Sequence, residues 1–388
     1  MPAAAEPAPS DESHAQDSIL VLADLTFRAR LGSADASTAL SALVESLGAA
    51  AAVTPAYAAI GSAAPAGLEA RLGEKLKEEL ALLEKTKKDA EENLGESEVR
   101  EALEKIGEFW KRVAEKDKAV AAFEDVMAAS VGGGQKLDSV FAIIRIGMAG
   151  VDFPLVKANI ARAKAMVEKG GDWERRNRLK VYEATYCLSK RDIPTASALF
   201  LDSLATFSAT ELIPYKTFVF YTVVTCMITL DRPTLRDKVA SAPEILAAIL
   251  DTPLLSETFT AFVKCDYKTY MTNLPVLLDH LAADRYMSTH LNYICRELRV
   301  VVYSQFLASY ASVTLASMSA AFGVSPPFIE REIARFIAAG RINARIDKVR
   351  GVIETTRPDV RNAAYLAAIR VGDGLLNRVQ KLSRVIDI

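Results

Sequence analysis

The stretch from Phe322 to Asp359, FGVSPPFIEREIARFIAAGRINARIDKVRGVIETTRPD, reads as the end of one short helix, a second helix and a β-hairpin. Leu315, Met318 and Phe322 recur at i, i+3 and i+7, so they line one face of the first helix, and Gly323 supplies a left-handed cap. Ser325 is placed to accept from the free N–H groups of the next helix, and Pro326 suits its first position. Phe328, Ile329, Ile333, Phe336 and Ile337 then make an apolar stripe that stops at Gly340. The period changes to two beyond it. Ile342, Ala344 and Ile346 alternate with Asn343, Arg345 and Asp347; Gly351 breaks the run; Val352 and Ile353 resume it, which predicts a two-stranded hairpin. The whole is a winged helix.

A winged helix that reads DNA sends basic and amide side chains of its second helix to base edges. This one offers Glu330, Arg331, Glu332 and Arg335, which sum to zero, and two carboxylates facing phosphates would repel them. The hairpin and its exit carry five basic residues, Arg341, Arg345, Lys348, Arg350 and Arg357, against Asp347 and Glu354. That modest excess falls short of the several phosphate contacts non-specific binding requires. Protein contact is the better reading of this module.

The 388 residues suffice for two or three domains, and 51% hydrophobic residues with only 15 Pro and 19 Gly argue for a helical, well-packed protein. A balance of 47 basic to 49 acidic residues removes the electrostatic case for a dedicated nucleic-acid or membrane-surface protein, so partners are expected to be proteins. Cys187, Cys226, Cys265 and Cys295 form no C-x-x-C and sit in apolar helical sequence, as buried free thiols do in a reducing compartment. The start, MPAAAEPAPSDESHAQDS, has neither the basic opening nor the apolar core of a targeting peptide and is expected to be disordered. Phe218 to Leu230 is the most apolar window; Thr222, Thr225 and Thr229 interrupt it, and it is too short to span a bilayer.

Working back along the chain, Ile19 to Leu47 predicts one or two helices, and GAAAAVTPAYAAIGSAAPAG a linker or a loose alanine-rich helix. Leu68 to Val126 is dense in Glu and Lys with leucines at helical spacing, and Glu84 precedes Lys88 by four, predicting an exposed amphipathic helix with an intrahelical pair. A faint repeat follows: Ala119 and Phe123 match Ala196 and Phe200 as A-x-x-x-F, with Ala158 midway between them. Small-then-bulky spacing lets paired helices pack closely, as in tetratricopeptide-type solenoids. After two glycines, Asp172 is placed to cap a helix carrying Arg175, Arg176, Arg178 and Lys180, which read more readily as salt bridges to neighbouring repeats than as an acidic-partner or RNA patch.

Beyond Pro358 the chain changes character. Leu375, Leu376, Val379, Leu382, Val385 and Ile386 form an apolar stripe with Arg378, Lys381 and Arg384 opposite. Burying six such side chains contributes about 10–15 kcal/mol gross, against about 1–2 kcal/mol for each residue ordered. Such a helix is marginal alone and needs something to lie against.

Signatures of catalysis are missing. His14, His280 and His290 lie in neither an H-x-H nor an H-E-x-x-H setting, and VGGGQKLDS lacks the spacing and the preceding strand of a phosphate loop. No G-x-S-x-G or G-x-G-x-x-G occurs. Neither enzymatic activity nor a cofactor or metal is expected.

A helical solenoid running into a winged helix and a terminal helix resembles the PCI family, named for the proteasome lid, the COP9 signalosome and a translation initiation factor. GGDWERRNRLKVY, ELIPYKTFVFYTV, FGVSPPFIEREIARFIAAGRINARIDKV, GVIETTRPD and GDGLLNRVQKLSRVI carry the likeness, which is close from Gly170 to Ile388, looser from Leu68 and weak before Gly67. It implies a mainly α fold: an N-terminal segment over 1–66, a right-handed TPR-like repeat region over 67–250, a PCI domain over 251–357 with its winged helix from about 298, and a bundle helix over 358–388. It also implies a non-catalytic scaffold in cytoplasm and nucleus. Its partners would be other PCI subunits of the proteasome lid, the lid's zinc-bearing deubiquitinase pair and the ATPase ring. In that role Ile342, Ala344, Ile346, Val352 and Ile353 of the wing would pair with a neighbour, and the terminal stripe would enter a helical bundle. A signalosome-type scaffold and a nucleic-acid-binding PCI adaptor are the alternatives.

Overall fold

The structure is a computed structural model and describes residues 16–61, 65, 68–93, 95–170, 172–250, 252–356 and 360–386; the expected disorder before residue 16, His14, Arg357 and the Pro358 boundary lie outside them. The chain divides into two compact units, Met1–Lys264 with Thr272–Cys295 and Cys265–Met271 with Arg296–Ile388.

The first unit is a stack of helices: α1 (Ser18–Arg30), α2 (Ala34–Leu47), α3 (Ala50–Ile60), α4 (Leu68–Asn93), α5 (Glu96–Val113), α6 (Lys116–Ala129), α7 (Gly133–Ala149), α8 (Phe153–Glu168), α9 (Trp173–Ser189), α10 (Ile193–Ser203), α11 (Tyr215–Thr229), α12 (Arg232–Leu235), α13 (Pro243–Leu250) and α14 (Pro253–Lys264). Next come α15 (Tyr267–Ala282) and α16 (Leu291–Leu307), which contribute residues to both units. From α4 to α11 each helix packs on its predecessor, the nearest-neighbour logic of a solenoid.

The hairpins α5/α6, α7/α8 and α9/α10 share a turn. A residue with positive φ, Ala114, Val151 or Arg191, precedes an acidic N-cap, Glu115, Asp152 or Asp192. The Asp152 and Asp192 carboxylates accept from the N–H of Leu155 and Thr195, and Pro154 and Pro194 sit in the first turn where no N–H is needed. The repeat is therefore written in the turns more clearly than in the helices. Ala119, Phe123, Ala196 and Phe200 are buried as expected, but Ala158 is exposed. In α8 the buried i, i+4 pair is Val156 and Ile160, and Gly147 admits Val156 so closely that an added Cβ would lie 2.9 Å from its Cγ2. The middle copy is thus in a different register.

Within the alanine-rich stretch, Ala50–Ile60 is helix. α3 buries Ala52, Val53, Ala56 and Tyr57 against Leu22, Leu40, Val44, Leu68 and Leu72, and left-handed Gly48 and Gly61 bound it. Small side chains here permit close packing. In α4 the intrahelical pair is Lys87–Glu91 at 3.7 Å, one turn from the expected Glu84–Lys88. The apolar window is α11, buried on every side from Phe218 to Met227, and its threonines donate to carbonyls of the preceding turn: Thr222 to Phe218 at 2.8 Å, Thr225 to Tyr221 at 2.7 Å, Thr229 to Thr225 at 2.9 Å. Self-satisfied hydroxyls let it sit in a core.

Buried ion pairs tie α1 into this stack. Asp17 accepts from Lys111 Nζ at 3.0 Å and Arg145 Nε at 2.7 Å, and its N–H donates to the Glu211 carbonyl at 3.0 Å. Arg145 also donates to Tyr182 at 2.8 Å. Burial alone would raise the Asp17 carboxyl; the Lys111 and Arg145 charges outweigh it and hold it below the usual value.

The second unit adds β1 (Ser312–Thr314), α17 (Leu315–Phe322), α18 (Pro326–Ala338), β2 (Ala344–Asp347), β3 (Val352–Thr355) and α19 (Val360–Ile386). The sheet has three strands in the order β1-β3-β2, both pairings antiparallel, where the sequence pattern predicts two. β1 is too short to show a period and buries only Val313. Thr314 leads straight into α17, its side chain accepting from the Ser317 N–H at 3.1 Å. Phe322 anchors the core between the rings of Tyr267, Tyr303 and Phe306, with centroids at 4.9, 5.1 and 5.3 Å. Ile329, Ile333 and Phe336 are buried, with Phe328 and Ile337 half-buried beside them. Ser325 and Asp172 stand at N-cap positions, yet neither side chain makes a capping bond.

Candidate functional site

Two surfaces of the second unit remain open for contact: the outer edge of β2 and the face of α19. At the wing the ladder fixes which groups are free. Thr356 N–H donates to the Asn343 carbonyl at 3.0 Å, and an antiparallel pair exchanges bonds at every second residue. Asn343, Arg345 and Asp347 therefore bond β3, and the N–H and C=O groups of Ala344 and Ile346 point outward, where no further strand lies among the described residues.

Of the five wing residues expected to meet a partner, Ile342, Ala344 and Ile353 are buried in the wing's own core, and Ile346 and Val352 are half-buried. Their side chains hold the wing together. What β2 offers a neighbour is backbone, beside an open groove of about 420 Å³ touching Ile337, Gly340, Ile342, Ala344 and Arg345.

The carboxylates that would repel phosphates are engaged internally. Glu332 accepts from Arg299 Nη1 at 2.6 Å and Tyr303 OH at 2.9 Å, and Glu330 pairs with Lys348 at 3.3 Å. Most of the wing's basic residues are engaged as well: Arg341 forks over buried Glu297 and Arg350 lies 3.7 Å from Asp347. Within the solenoid, Arg175 binds Asp138 of α7 through Nε at 3.1 Å and Nη2 at 2.7 Å, Arg178 binds Glu211 in the connection between α10 and α11, and Lys180 binds Asp202 of α10 at 2.5 Å. The basic run after Asp172 is thus largely inter-helix pairing.

α19 is different in kind. Leu375, Leu376, Val379, Leu382, Val385 and Ile386 are 55–75% exposed, and Arg361, Asn362 and every residue from 364 to 386 except Gly372 are exposed. Tyr365, Leu366, Ile369 and Val371 extend the apolar surface towards the helix start, beyond the expected stripe. Their 3–4 spacing was available in the sequence. A monomer rarely exposes such a continuous apolar surface unless it binds something.

No cluster of three or more His, Cys, Asp or Glu side chains among the described residues could hold a metal ion. His290 Nε2 meets the Ser189 carbonyl at 2.8 Å, and His280 packs 5.3 Å from the Phe220 ring. Cys187 and Cys226 are buried and Cys265 and Cys295 half-buried, all as free thiols. Burial pushes the Cys226 thiol up to about 12 and that of Cys187 to about 11, opposite to the shift that activates a nucleophile. Among the described residues no helix is long and apolar enough to cross a membrane.

Comparison with known proteins separates the chain into three matched parts. Residues 68–238 match the family described as 26S proteasome subunit RPN7, residues 275–357 the PCI domain, and residues 364–386 the family described as the 26S proteasome regulatory subunit RPN7/PSMD6 C-terminal helix. A rice protein named 26S proteasome non-ATPase regulatory subunit 6 is 48% identical over 95% of this chain and 92% of its own length. An Arabidopsis thaliana homologue of that subunit is 50% identical over 80% of each chain. The Drosophila melanogaster COP9 signalosome complex subunit 1b is 25% identical over 42% of this chain and 31% of its own.

Proposed function

Since this chain belongs to the RPN7 family of 26S proteasome regulatory subunits, we propose that it is a structural subunit of the regulatory-particle lid, held in place by the C-terminal helix and the edge of the wing. The observation that carries the reading is α19: ordered along its length, apolar on one side and exposed there. Buried against neighbouring helices, that face would contribute to assembly what a hydrophobic core contributes to folding. The wing adds a row of unpaired backbone groups at Ala344 and Ile346, suited to strand addition by another winged helix. On this reading the neighbours are other PCI subunits, with the lid's deubiquitinase pair and the ATPase ring as further partners. The subunit itself is non-catalytic, supports ubiquitin-dependent protein degradation and works in cytoplasm and nucleus.

Charge disfavours the nucleic-acid alternative, because most of the module's basic side chains already face an acid of the same unit: Arg299 pairs with Glu332, Arg341 with Glu297, Lys348 with Glu330 and Arg350 with Asp347. The signalosome alternative rests on a likeness covering 42% of the chain, against 95% for the proteasomal relative. Affinity purification of the tagged full-length chain from cells, followed by mass spectrometry, tests the choice. Proteasomal ATPase subunits should co-elute with it; signalosome subunits without ATPases would overturn the reading.

A further inference from the structure

The two glycines in the middle of α19 are unexplained by the chain that contains them. Glycine weakens a helix interior through its backbone entropy, and is retained there where another group must come close. Neither Gly372 nor Gly374 has a positive φ, and an added Cβ at either would meet nothing within 4 Å. The fold therefore needs neither.

Their positions differ, however. Tyr365, Ala368, Gly372, Leu375, Val379, Leu382 and Ile386 follow one another in alternating steps of three and four, the spacing that keeps one seam facing a partner helix. Gly372 lies in that seam, and Gly374 lies outside it. The positions flanking the seam include Ile369, Leu376, Val371 and Val385, so the apolar face is wider than a two-stranded coil uses. Against one acid, Asp373, the helix carries Arg361, Arg370, Arg378, Lys381 and Arg384.

We propose that Gly372 is a notch in the assembly seam that receives a bulky apolar side chain from an acidic amphipathic helix of another subunit, and so decides which helix α19 accepts and in what register. This rests on the reading of α19 as an assembly helix. The excess of positive charge selects an acidic partner, and a missing side chain in an otherwise filled seam selects a large residue opposite. Gly374 marks the control position, with the same residue type in the same helix and no part in the seam.

The test uses the tagged full-length chain expressed in cells, reading the fraction recovered in the intact complex. Gly374→Leu should assemble as well as the unaltered chain, while Gly372→Leu should lose at least tenfold, with far-UV circular dichroism of both purified chains unchanged or more helical. Equal recovery of the two variants, whether both assemble or both fail, would overturn the notch. Leu382→Glu tells that failure apart from failure of the underlying reading: if it assembles normally, α19 is no assembly helix at all.

Discussion

The Arg341 guanidinium forks over the carboxylate of Glu297, Nη1 donating to Oε1 at 2.9 Å and Nη2 to Oε2, with the acid only 4% exposed. A residue that reads as part of a basic wing is thus the counter-charge of a buried acid on α16.

Arg341→Ala should consequently destabilise the winged helix, since it leaves the Glu297 charge buried with Arg296, at 3.7 Å, as its remaining ion-pair partner among the described residues. The loss should be about 2–3 kcal/mol, below the usual cost of breaking a fully buried pair because Arg341 itself is partly in water. Glu297→Gln should lose less. Urea unfolding followed by near-UV circular dichroism, which senses the Tyr267, Tyr303 and Phe306 cluster, measures both.

Asp17 and Asp24 have carboxyls shifted in opposite directions, so loss of charge should cost different amounts at the two positions. Asp17 is held below its usual value in the folded state by Lys111 and Arg145, so its contribution is present above the unfolded value near 3.8 and vanishes as pH falls through the lower folded value. Asp17→Asn should cost about 2–4 kcal/mol at pH 7 and flatten the stability profile below pH 4. Burial and the neighbouring Asp284 raise Asp24 despite Arg285, so its ionised form opposes folding at neutral pH. Asp24→Asn should therefore lose less than Asp17→Asn at pH 7. Thermal unfolding from pH 3 to pH 8 separates the two, and equal losses at pH 7 would contradict this.

Val151, exposed and β-branched, has φ near 56°, a conformation costly for such a residue. Val151→Gly should stabilise the first unit by about 1 kcal/mol, with no effect on assembly. A lower midpoint in thermal unfolding would show that the Val151 side chain packs usefully after all.

Arg345 is exposed on the outward strand of the wing, and no acidic partner stands within ion-pair distance of it among the described residues. If the wing contacts protein through backbone, Arg345→Ala should leave duplex DNA and RNA binding unmeasurable, as in the unaltered chain at low salt. Salt-sensitive binding by the unaltered chain, weakened by Arg345→Ala, would favour the nucleic-acid alternative.

Legibility of the sequence depended on what each residue had to satisfy. The winged helix was readable from Leu315 to Ile353 because its stripes and alternation are local and its breaks fall on glycines with positive φ, Gly323, Gly340 and Gly351. β1 was not, because three residues carry no period. Glu332 flanks the apolar stripe of α18, so periodicity alone could not show that it turns inward to Tyr303 and Arg299. A small-residue match points to Ala158, whereas Val156 and Ile160 fill the equivalent space; the better signal is the acidic N-cap followed by proline two residues on, at Asp152 and Asp192. Apolarity is what marks the wing's candidate residues in the sequence, and the same apolarity draws Ile342, Ala344 and Ile353 into the wing's own core. For α19 the same criterion found an outward stripe, because nothing in the described chain covers it.

On the proposed reading, α19 joins this chain to its complex. The most direct measurement is the fraction of a tagged full-length chain recovered with proteasomal ATPase subunits when Leu375 and Leu382 are both changed to Glu, compared with the unaltered chain. A soluble, folded subunit that no longer co-purifies with them is the expected result; recovery equal to the unaltered chain would mean that α19 is not the joint.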